Sequence, residues 1–338
     1  MTYPETVIIE LSSKCNLQCV FCSAPWFAVG SKYDLRLDMS FVQWQQAIDK
    51  LESLGVKNIS FSGGESIMNP ILLDLIGYIN LKGCLNKKEK IGVISNGKGL
   101  TAELLTFFAD NNIHLSISCP GIKTYEWHTK NNNLEKVLWA FEYARKIGLT
   151  TTANVPVTKK NLCELFEILS MVILSGANLV LINRFLPGGR GLSNYKELCL
   201  NRFEINEMLD IAEEVLGYAN MIGYTGTEIP LCIIDNKEKY KHIIISSLCG
   251  AAKSFFVIDS SGYIRVCNHS ERKIGHILSD NIIDDFDYWN LFYSSAYKPA
   301  YCKKCEDFSK CDCGCREVAN IVNGSCSDID PIINYLRL

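Results

Sequence analysis

Three cysteines stand within eight residues, Cys15-Asn16-Leu17-Gln18-Cys19-Val20-Phe21-Cys22, a C-x3-C-x2-C run directly after a short apolar segment. Six more fall between Cys302 and Cys326, while the long middle of the chain is sparse in cysteine. Sixteen cysteines in a chain whose first residues carry no basic region and no apolar signal segment are not read as eight disulfides. Clustered thiolates in a reduced compartment read as metal ligation, and the cytoplasm is the expected compartment. Three thiolates leave one iron of a [4Fe–4S] cluster open, so that iron can bind a substrate or cofactor as well as pass electrons. The alternative for the same three residues is a zinc site lacking its fourth ligand.

The elements that must position these thiols follow from periodicity. Strands are expected at Val7–Leu11, Asn58–Ser62, Ile91–Ser95, Ile113–Ser118, Thr151–Val157 and Asn178–Phe185. Helices are expected at Ser40–Leu54 with Ser40 as N-cap, Pro70–Leu81, Thr101–Asp110, Asn133–Ile147, Asn161–Ser175 and Arg202–Ala219. In the first helix Trp44, Ile48 and Leu51 form a stripe that reads as core packing. Successive β-then-α units imply a parallel sheet with right-handed crossovers, closed or half-closed into a barrel with its chemistry at the strands' C-terminal ends. The β/α rhythm stops after about Leu231. Phe255–Cys267 then reads as a hairpin around Asp259-Ser260-Ser261-Gly262, followed by a loop-like, cysteine-dense tail. The division expected is 1–231 for the α/β unit and 232–338 for a small metal-held module, with a bridge at about 220–248.

The placement and spacing of Cys15, Cys19 and Cys22 resemble the radical S-adenosylmethionine (SAM) superfamily. Phe21 resembles the aromatic residue that family members pack against the adenine. Ser62-Gly63-Gly64-Glu65, ending the second strand, resembles the family's Gly-Gly-Glu motif, whose role is to hydrogen-bond the methionine amino group. Glycine suits a backbone that must approach a ligand closely. Ser95-Asn96 at the end of the third strand and Ser118 at the end of the fourth resemble polar positions that contact the ribose. Many relatives have Ser-x-Asp-Gly where this chain has Ser118-Cys119-Pro120-Gly121, so any contact made by that aspartate is lost. Arg184, ending the sixth strand, is a candidate for the adenosine or carboxylate end of the cofactor, or a surface ion pair.

The C-terminal spacing Cys249-x12-Gly262-x4-Cys267, Cys302-x2-Cys305-x5-Cys311-x3-Cys315, then Cys326, resembles the seven-cysteine signature of the SPASM domain. The resemblance implies a partial (β/α)6 TIM-like barrel followed by a cysteine-rich domain holding two auxiliary clusters, three [4Fe–4S] clusters in all. It assigns Cys302, Cys305, Cys311 and Cys326 to the outer auxiliary cluster and Cys249, Cys267 and Cys315 to the inner one. Relatives with a fully ligated inner cluster take one more cysteine from just upstream, and Cys232 is the nearest here. Cys232 therefore reads as the inner cluster's last ligand or as a hydrogen donor to a substrate radical. A structural zinc ribbon is the rival reading of the tail. Of the cysteines outside both signatures, Cys163 is expected to be buried on its helix, Cys119 to face the helical layer, and Cys313 to be a spare thiol.

What the resemblance implies is an enzyme that uses a 5′-deoxyadenosyl radical to abstract a hydrogen atom. Its leading substrate is a ribosomally made peptide, in which it forms a cross-link, a thioether or an oxidised residue. Oxidation or epimerisation of a sugar or another small molecule is the second reading; a non-catalytic iron–sulfur electron carrier is the third. An electron donor such as flavodoxin or ferredoxin is expected as a partner. With the first strand starting by Val7, no leader-binding module is expected ahead of it, so leader recognition falls to the barrel mouth, the bridge or a separate protein. Net charge −3 and a pI near 6.0 speak against a broad nucleic-acid-binding face. No apolar run reaches the roughly 18 residues of a membrane span.

Overall fold

The computed structural model describes residues 3–33, 37–82 and 91–333. Cys84 lies outside the described residues. Six strands alternate with helices as the periodicity predicts: β1 (Thr6–Ser12), β2 (Asn58–Gly63), β3 (Ile91–Ser95), β4 (Ile113–Ser118), β5 (Thr151–Val157) and β6 (Leu179–Arg184). They pair in parallel and in sequence order, so each C-terminal end opens on the same side. The helix Phe41–Ser53 starts at a capping box in which Ser40 and Gln43 satisfy each other's backbone N–H groups. Trp44, Ala47, Ile48 and Leu51 on its inner face are all buried, as the stripe predicts. Burying a side chain the size of Ile48 or Leu51 contributes about 1.5–3 kcal/mol, which fixes the helix on the sheet.

The sheet does not end with β6. β7 (Gly223–Thr225) and β8 (Ile243–Ile244) extend it beyond β6, and β9 (Phe255–Ile258) pairs in parallel with the other side of β1. The expected hairpin is present as β9 and β10 (Tyr263–Arg265), antiparallel, with β11 (Gly275–His276) outermost. Among the described residues one eleven-stranded sheet, ordered β11-β10-β9-β1-β2-β3-β4-β5-β6-β7-β8, therefore takes strands from the cysteine-rich part on both edges. A fully buried ion pair between Arg265 on β10 and Glu10 on β1 locks this junction, and Asn268 Nδ2 donates to Glu10 Oε1 at 3.0 Å. No helix among the described residues is long and apolar enough to cross a membrane.

Two details depart from the sequence reading. The expected helix over 161–175 begins as a 3-10 turn, Leu162–Glu164, before the α-helix Leu165–Ser175. At three residues per turn Leu162 and Leu165 share the buried face, so Cys163 points away and is exposed, where burial was expected. A short helix at Tyr125–Thr129, absent from the periodicity, follows β4 and presents buried His128. Cys119 is buried in the core behind the sheet while Ser118 lines the cavity, as strand alternation requires.

Candidate active site

The cysteine loop leaves β1 at a register shift between Glu10 and Ser12, a bulge that re-aims the chain at the strand's C-terminal end. Gly63 and Gly64 hold the loop from below. Gly64 N–H donates to Ser12 O at 2.6 Å and Glu65 N–H to Lys14 O at 2.8 Å. A Cβ on Gly64 would stand 2.2 Å from Lys14 O, and one on Gly63, at φ +129°, 2.3 Å from Ser12 O. The two glycines thus have a reason beyond ligand approach: the backbone of the cysteine loop lies on them.

A second glycine run, Gly188-Gly189-Arg190-Gly191 after β6, clasps the same loop from the other side. Gly191 N–H donates to Cys22 O at 2.9 Å, and a Cβ on Gly189 would meet Ala24 O at 2.3 Å. Arg190 Nη1 donates to Cys19 O at 3.2 Å, and its charge bears on Cys15, Cys19 and Cys22 together. Sequence reading missed Arg190; its only signal was the glycine-rich run at a strand's C-terminal end.

A cavity of about 580 Å³ opens above these strand ends. Cys15, Cys19 and Cys22 line it with every other position expected to hold the cofactor: Phe21, Gly63, Gly64, Glu65, Ser95, Asn96, Ser118 and Arg184. Burial raises all three thiols above their ordinary value, so bound cations are what would hold them as thiolates. Glu65 is 2% exposed; its Oε2 accepts from Asn96 N–H at 2.8 Å, whereas Oε1 is buried with no partner among the described residues. Burial pushes the Glu65 carboxyl up to about 7. An orphaned acceptor of this kind fits a ligand that donates a proton or brings a cation. Asn96 Nδ2 reaches Asn16 Oδ1 at 2.8 Å and Cys15 Sγ at 3.7 Å, joining the third strand to the thiols. Phe21 packs against His128 with ring centroids 5.9 Å apart.

Arg184 is 3% exposed, so the surface ion pair is excluded. Its guanidinium donates to Asp330 Oδ2 at 2.6 Å and to Glu228 O at 2.9 Å, and the same Asp330 oxygen accepts from Cys315 N–H at 2.8 Å. The sixth strand's arginine is therefore tied to the C-terminal cysteines while it lines the cavity.

Cys249, Cys267 and Cys315 line this cavity too, with Glu228 and Glu317 beside them. Burial raises these three thiols, and each lies within the field of Glu228 or Glu317. Cys302 and Cys311 are buried and Cys305 is exposed. A hydrogen bond with the Cys313 thiol is the main cause that lowers Cys311 to about 6, helped by the Leu231 and Cys313 N–H groups. Cys313 takes a positive φ of 64°, a left-handed position that glycine would occupy at less cost. Burial, and then the Cys311, Cys302 and Cys305 thiols, push Cys232 up to about 11. Cys232, expected either as a ligand of the inner group or as a hydrogen donor, therefore lies near Cys311, Cys302 and Cys305. Cys326 is 5% exposed beneath Tyr288, whose hydroxyl is 3.6 Å from its sulfur, and beside Glu317.

A parallel sheet whose first strand delivers three closely spaced thiols into a cavity at the strand ends defines a class, and comparison agrees. The Radical SAM superfamily model matches residues 9–172: the chain carries a radical SAM domain there and is an enzyme. That domain implies a [4Fe–4S] cluster and S-adenosylmethionine, which the orphaned Glu65 oxygen and the three half-buried thiols fit. Among curated proteins the chain is similar to the PqqA peptide cyclase of Bradyrhizobium diazoefficiens, 25% identical over 97% of this chain and 85% of that one. It is also similar to the mycofactocin maturase MftC of Mycolicibacterium smegmatis, 24% identical over 90% of this chain and 76% of that one. Among solved structures, native anSMEcpe with bound AdoMet and Cp18Cys peptide has a TM-score of 0.73 at 18% identity, covering 99% of this chain and 95% of that one.

Proposed function

We propose that this chain is a radical SAM peptide maturase with a C-terminal SPASM domain and three [4Fe–4S] clusters. The observation that carries the reading is a single cavity lined both by Cys15, Cys19 and Cys22 and by Cys249, Cys267 and Cys315. A substrate seated there touches both the radical source and an auxiliary cluster, which suits a net two-electron outcome such as a cross-link, a thioether or a dehydrogenated residue. The names of relatives aligned over nearly the whole chain, a peptide cyclase and a maturase, supply the substrate class.

When bound, the cluster and S-adenosylmethionine supply a 5′-deoxyadenosyl radical for hydrogen-atom abstraction. In this reading Cys15, Cys19 and Cys22 ligate three irons and Arg190 offsets their charge. Glu65 Oε1 would accept from the methionine amino group, Phe21 would hold the adenine, and Asn96 with Ser95 and Ser118 would hold the ribose. Arg184 acts indirectly, holding Asp330 against the Cys315 backbone. Residues 1–231 form the barrel and 232–338 the SPASM domain; the protein works in the cytoplasm with a flavodoxin or ferredoxin as electron donor and a separate protein for leader recognition.

Anaerobically reconstituted protein should carry about twelve irons per chain, four per cluster. About four irons with stoichiometric zinc would count against the auxiliary clusters. Reduced protein given S-adenosylmethionine and the product of a short open reading frame beside its gene should release 5′-deoxyadenosine and a peptide lighter by two hydrogens. Turnover of a nucleotide sugar with no change in that peptide would reject the substrate class.

A further inference from the structure

Spacing assigns the outer auxiliary cluster to Cys302, Cys305, Cys311 and Cys326 and leaves Cys232 over. Packing distributes these thiols differently. The 3-10 turn Leu231–Ile233 lies against the loop that carries Cys302 to Cys311, with Leu231 N–H directed at the Cys311 sulfur. Further contacts hold the bridge segment there: Ser247 Oγ donates to Lys310 O at 2.7 Å, Asp312 N–H donates to Ser247 O at 2.8 Å, and Lys237 ion-pairs with Asp307. Cys232 consequently lies within the field of Cys311, Cys302 and Cys305, all three thiols of the group.

Cys326 has other company. It sits under the Tyr288 hydroxyl at 3.6 Å, its carbonyl accepts from Arg316 Nη1 at 3.2 Å, and Glu317 is the charge that bears on it most. Those contacts make Cys326 a packed, hydrogen-bonded core residue. Cys313 is the other rival. Its N–H donates to Cys311 Sγ at 3.2 Å, and its thiol is in hydrogen-bonding contact with Cys311 and Cys302. A cubane's four ligands each take a different iron and so stand apart. A thiol leaning on two of them is placed to donate S–H to their sulfurs, which tunes a cluster without ligating it.

We propose that Cys232 is the fourth ligand of the outer cluster, with Cys302, Cys305 and Cys311, and that Cys326 is not a ligand. This rests on the auxiliary-cluster reading above. The outer cluster then has a structural role, because one ligand comes from the bridge that leaves the barrel and the cluster pins that bridge to the C-terminal loop. The inner group keeps Cys249, Cys267 and Cys315 on the cavity, with a coordination site left for a ligand that is not cysteine.

The test uses the full chain carrying Cys15→Ala, Cys19→Ala and Cys22→Ala, so that only auxiliary iron is read. Reconstituted anaerobically, this background should hold about eight irons. Adding Cys232→Ala should remove about four, or convert one cluster to a three-iron form seen by Mössbauer and EPR spectroscopy. Cys232→Ser should keep the iron but change the spectrum of one cluster only, which separates ligation from misfolding. Cys326→Ala and Cys313→Ala should each keep about eight irons, with Cys313→Ala changing only the reduction potential. Full iron and an unchanged spectrum in both Cys232 variants, or loss of a cluster in Cys326→Ala, would overturn the assignment. A background protein without auxiliary iron would instead overturn the cluster reading itself.

Discussion

Replacing Glu65 by Gln isolates one carboxylate in a buried site and yields a numerical expectation. The side chain is 2% exposed, its Oε2 is held by Asn96 N–H at 2.8 Å, and its Oε1 has no partner among the described residues. Burial, only partly offset by hydrogen bonds from Asn96, Ser95 and Ile67, raises the carboxyl from 4.5 to about 7. The folded value lies above the unfolded one, so the stability this group contributes is present below about pH 4.5 and lost as pH rises through about 7. Ionising it without a ligand costs about 3 kcal/mol at 1.36 kcal/mol per pH unit. A ligand amine that bonds the carboxylate must therefore first draw off a proton below pH 7. About one carboxyl in eleven is ionised at pH 6 and about ten in eleven at pH 8, a roughly tenfold change. Gln retains an acceptor for Asn96 but cannot ionise. At pH 8 its loss of a charged hydrogen bond should weaken S-adenosylmethionine binding by about 1.5–3 kcal/mol, roughly 10- to 150-fold. The ratio of variant to parent Kd should then shrink about tenfold from pH 8 to pH 6, and taking the ratio cancels every titration the two proteins share. Equilibrium binding on anaerobic, cluster-loaded protein at pH 6, 7 and 8 measures it. A ratio that stays constant with pH would refute the argument, since Glu65 would not be the group that meets the ligand.

Other expectations follow from the same geometry. Gly64→Ala places a Cβ 2.2 Å from Lys14 O, a backbone atom that cannot swing away, so iron should be lost from the radical cluster while auxiliary iron stays; metal analysis checks it. Replacing Cys15, Cys19 and Cys22 together by Ala should abolish 5′-deoxyadenosine formation, measured by chromatography of the reduced reaction. Glu10→Gln leaves Arg265 buried with a neutral partner and should destabilise the chain by about 3–5 kcal/mol, read from denaturant unfolding. Cys163→Ser, at an exposed position, should change stability by less than about 0.5 kcal/mol and leave activity intact.

Much of the site was legible because its information is local. Cys15, Cys19 and Cys22 sit in one loop, and Gly63 to Glu65, Ser95-Asn96, Ser118 and Arg184 each end a strand whose β-branched run is visible in the sequence. Parallel pairing in sequence order then brings those ends together without further instruction, and all of them line one cavity. Cys119 was placed correctly by two-residue alternation alone. What stayed hidden depends on residues distant in sequence. Arg190 acquires meaning only when its loop lies on Cys19, 171 positions away. Arg184 stayed open between a cofactor contact and a surface ion pair because its partner, Asp330, is 146 positions downstream. Cys163 was misread because standing between Leu162 and Leu165 in sequence does not put it on their face: at roughly 100–120° per residue, in an α-helix or a 3-10 turn alike, it is turned away from both.

The same distinction explains why spacing and packing disagree over Cys232 and Cys326. Spacing assumes that ligands follow one another along the tail, but the sheet takes strands from beyond the barrel on both of its edges, β8 on one and β9 to β11 on the other, so the segment between β7 and β8 is returned to the cysteine-rich region after the barrel strands have ended. Its 3-10 turn at Leu231–Ile233 then stands beside Cys311, whereas Cys326, closer in sequence, turns inward beneath Tyr288. Both edges of the sheet thus bear on the thiols: β9 and β10 lead to Cys267 on the cavity, and the bridge beyond β7 leads to Cys232 on the outer group. A perturbation of the Glu10–Arg265 pair should therefore reach the inner group through β10 and leave the outer group unaffected. Measured separately in the cysteine-to-alanine background, the inner cluster's spectrum should respond to Glu10→Gln while the outer one's does not; equal changes in both would mean that the two sites are held by one unit, with no division of labour between the edges.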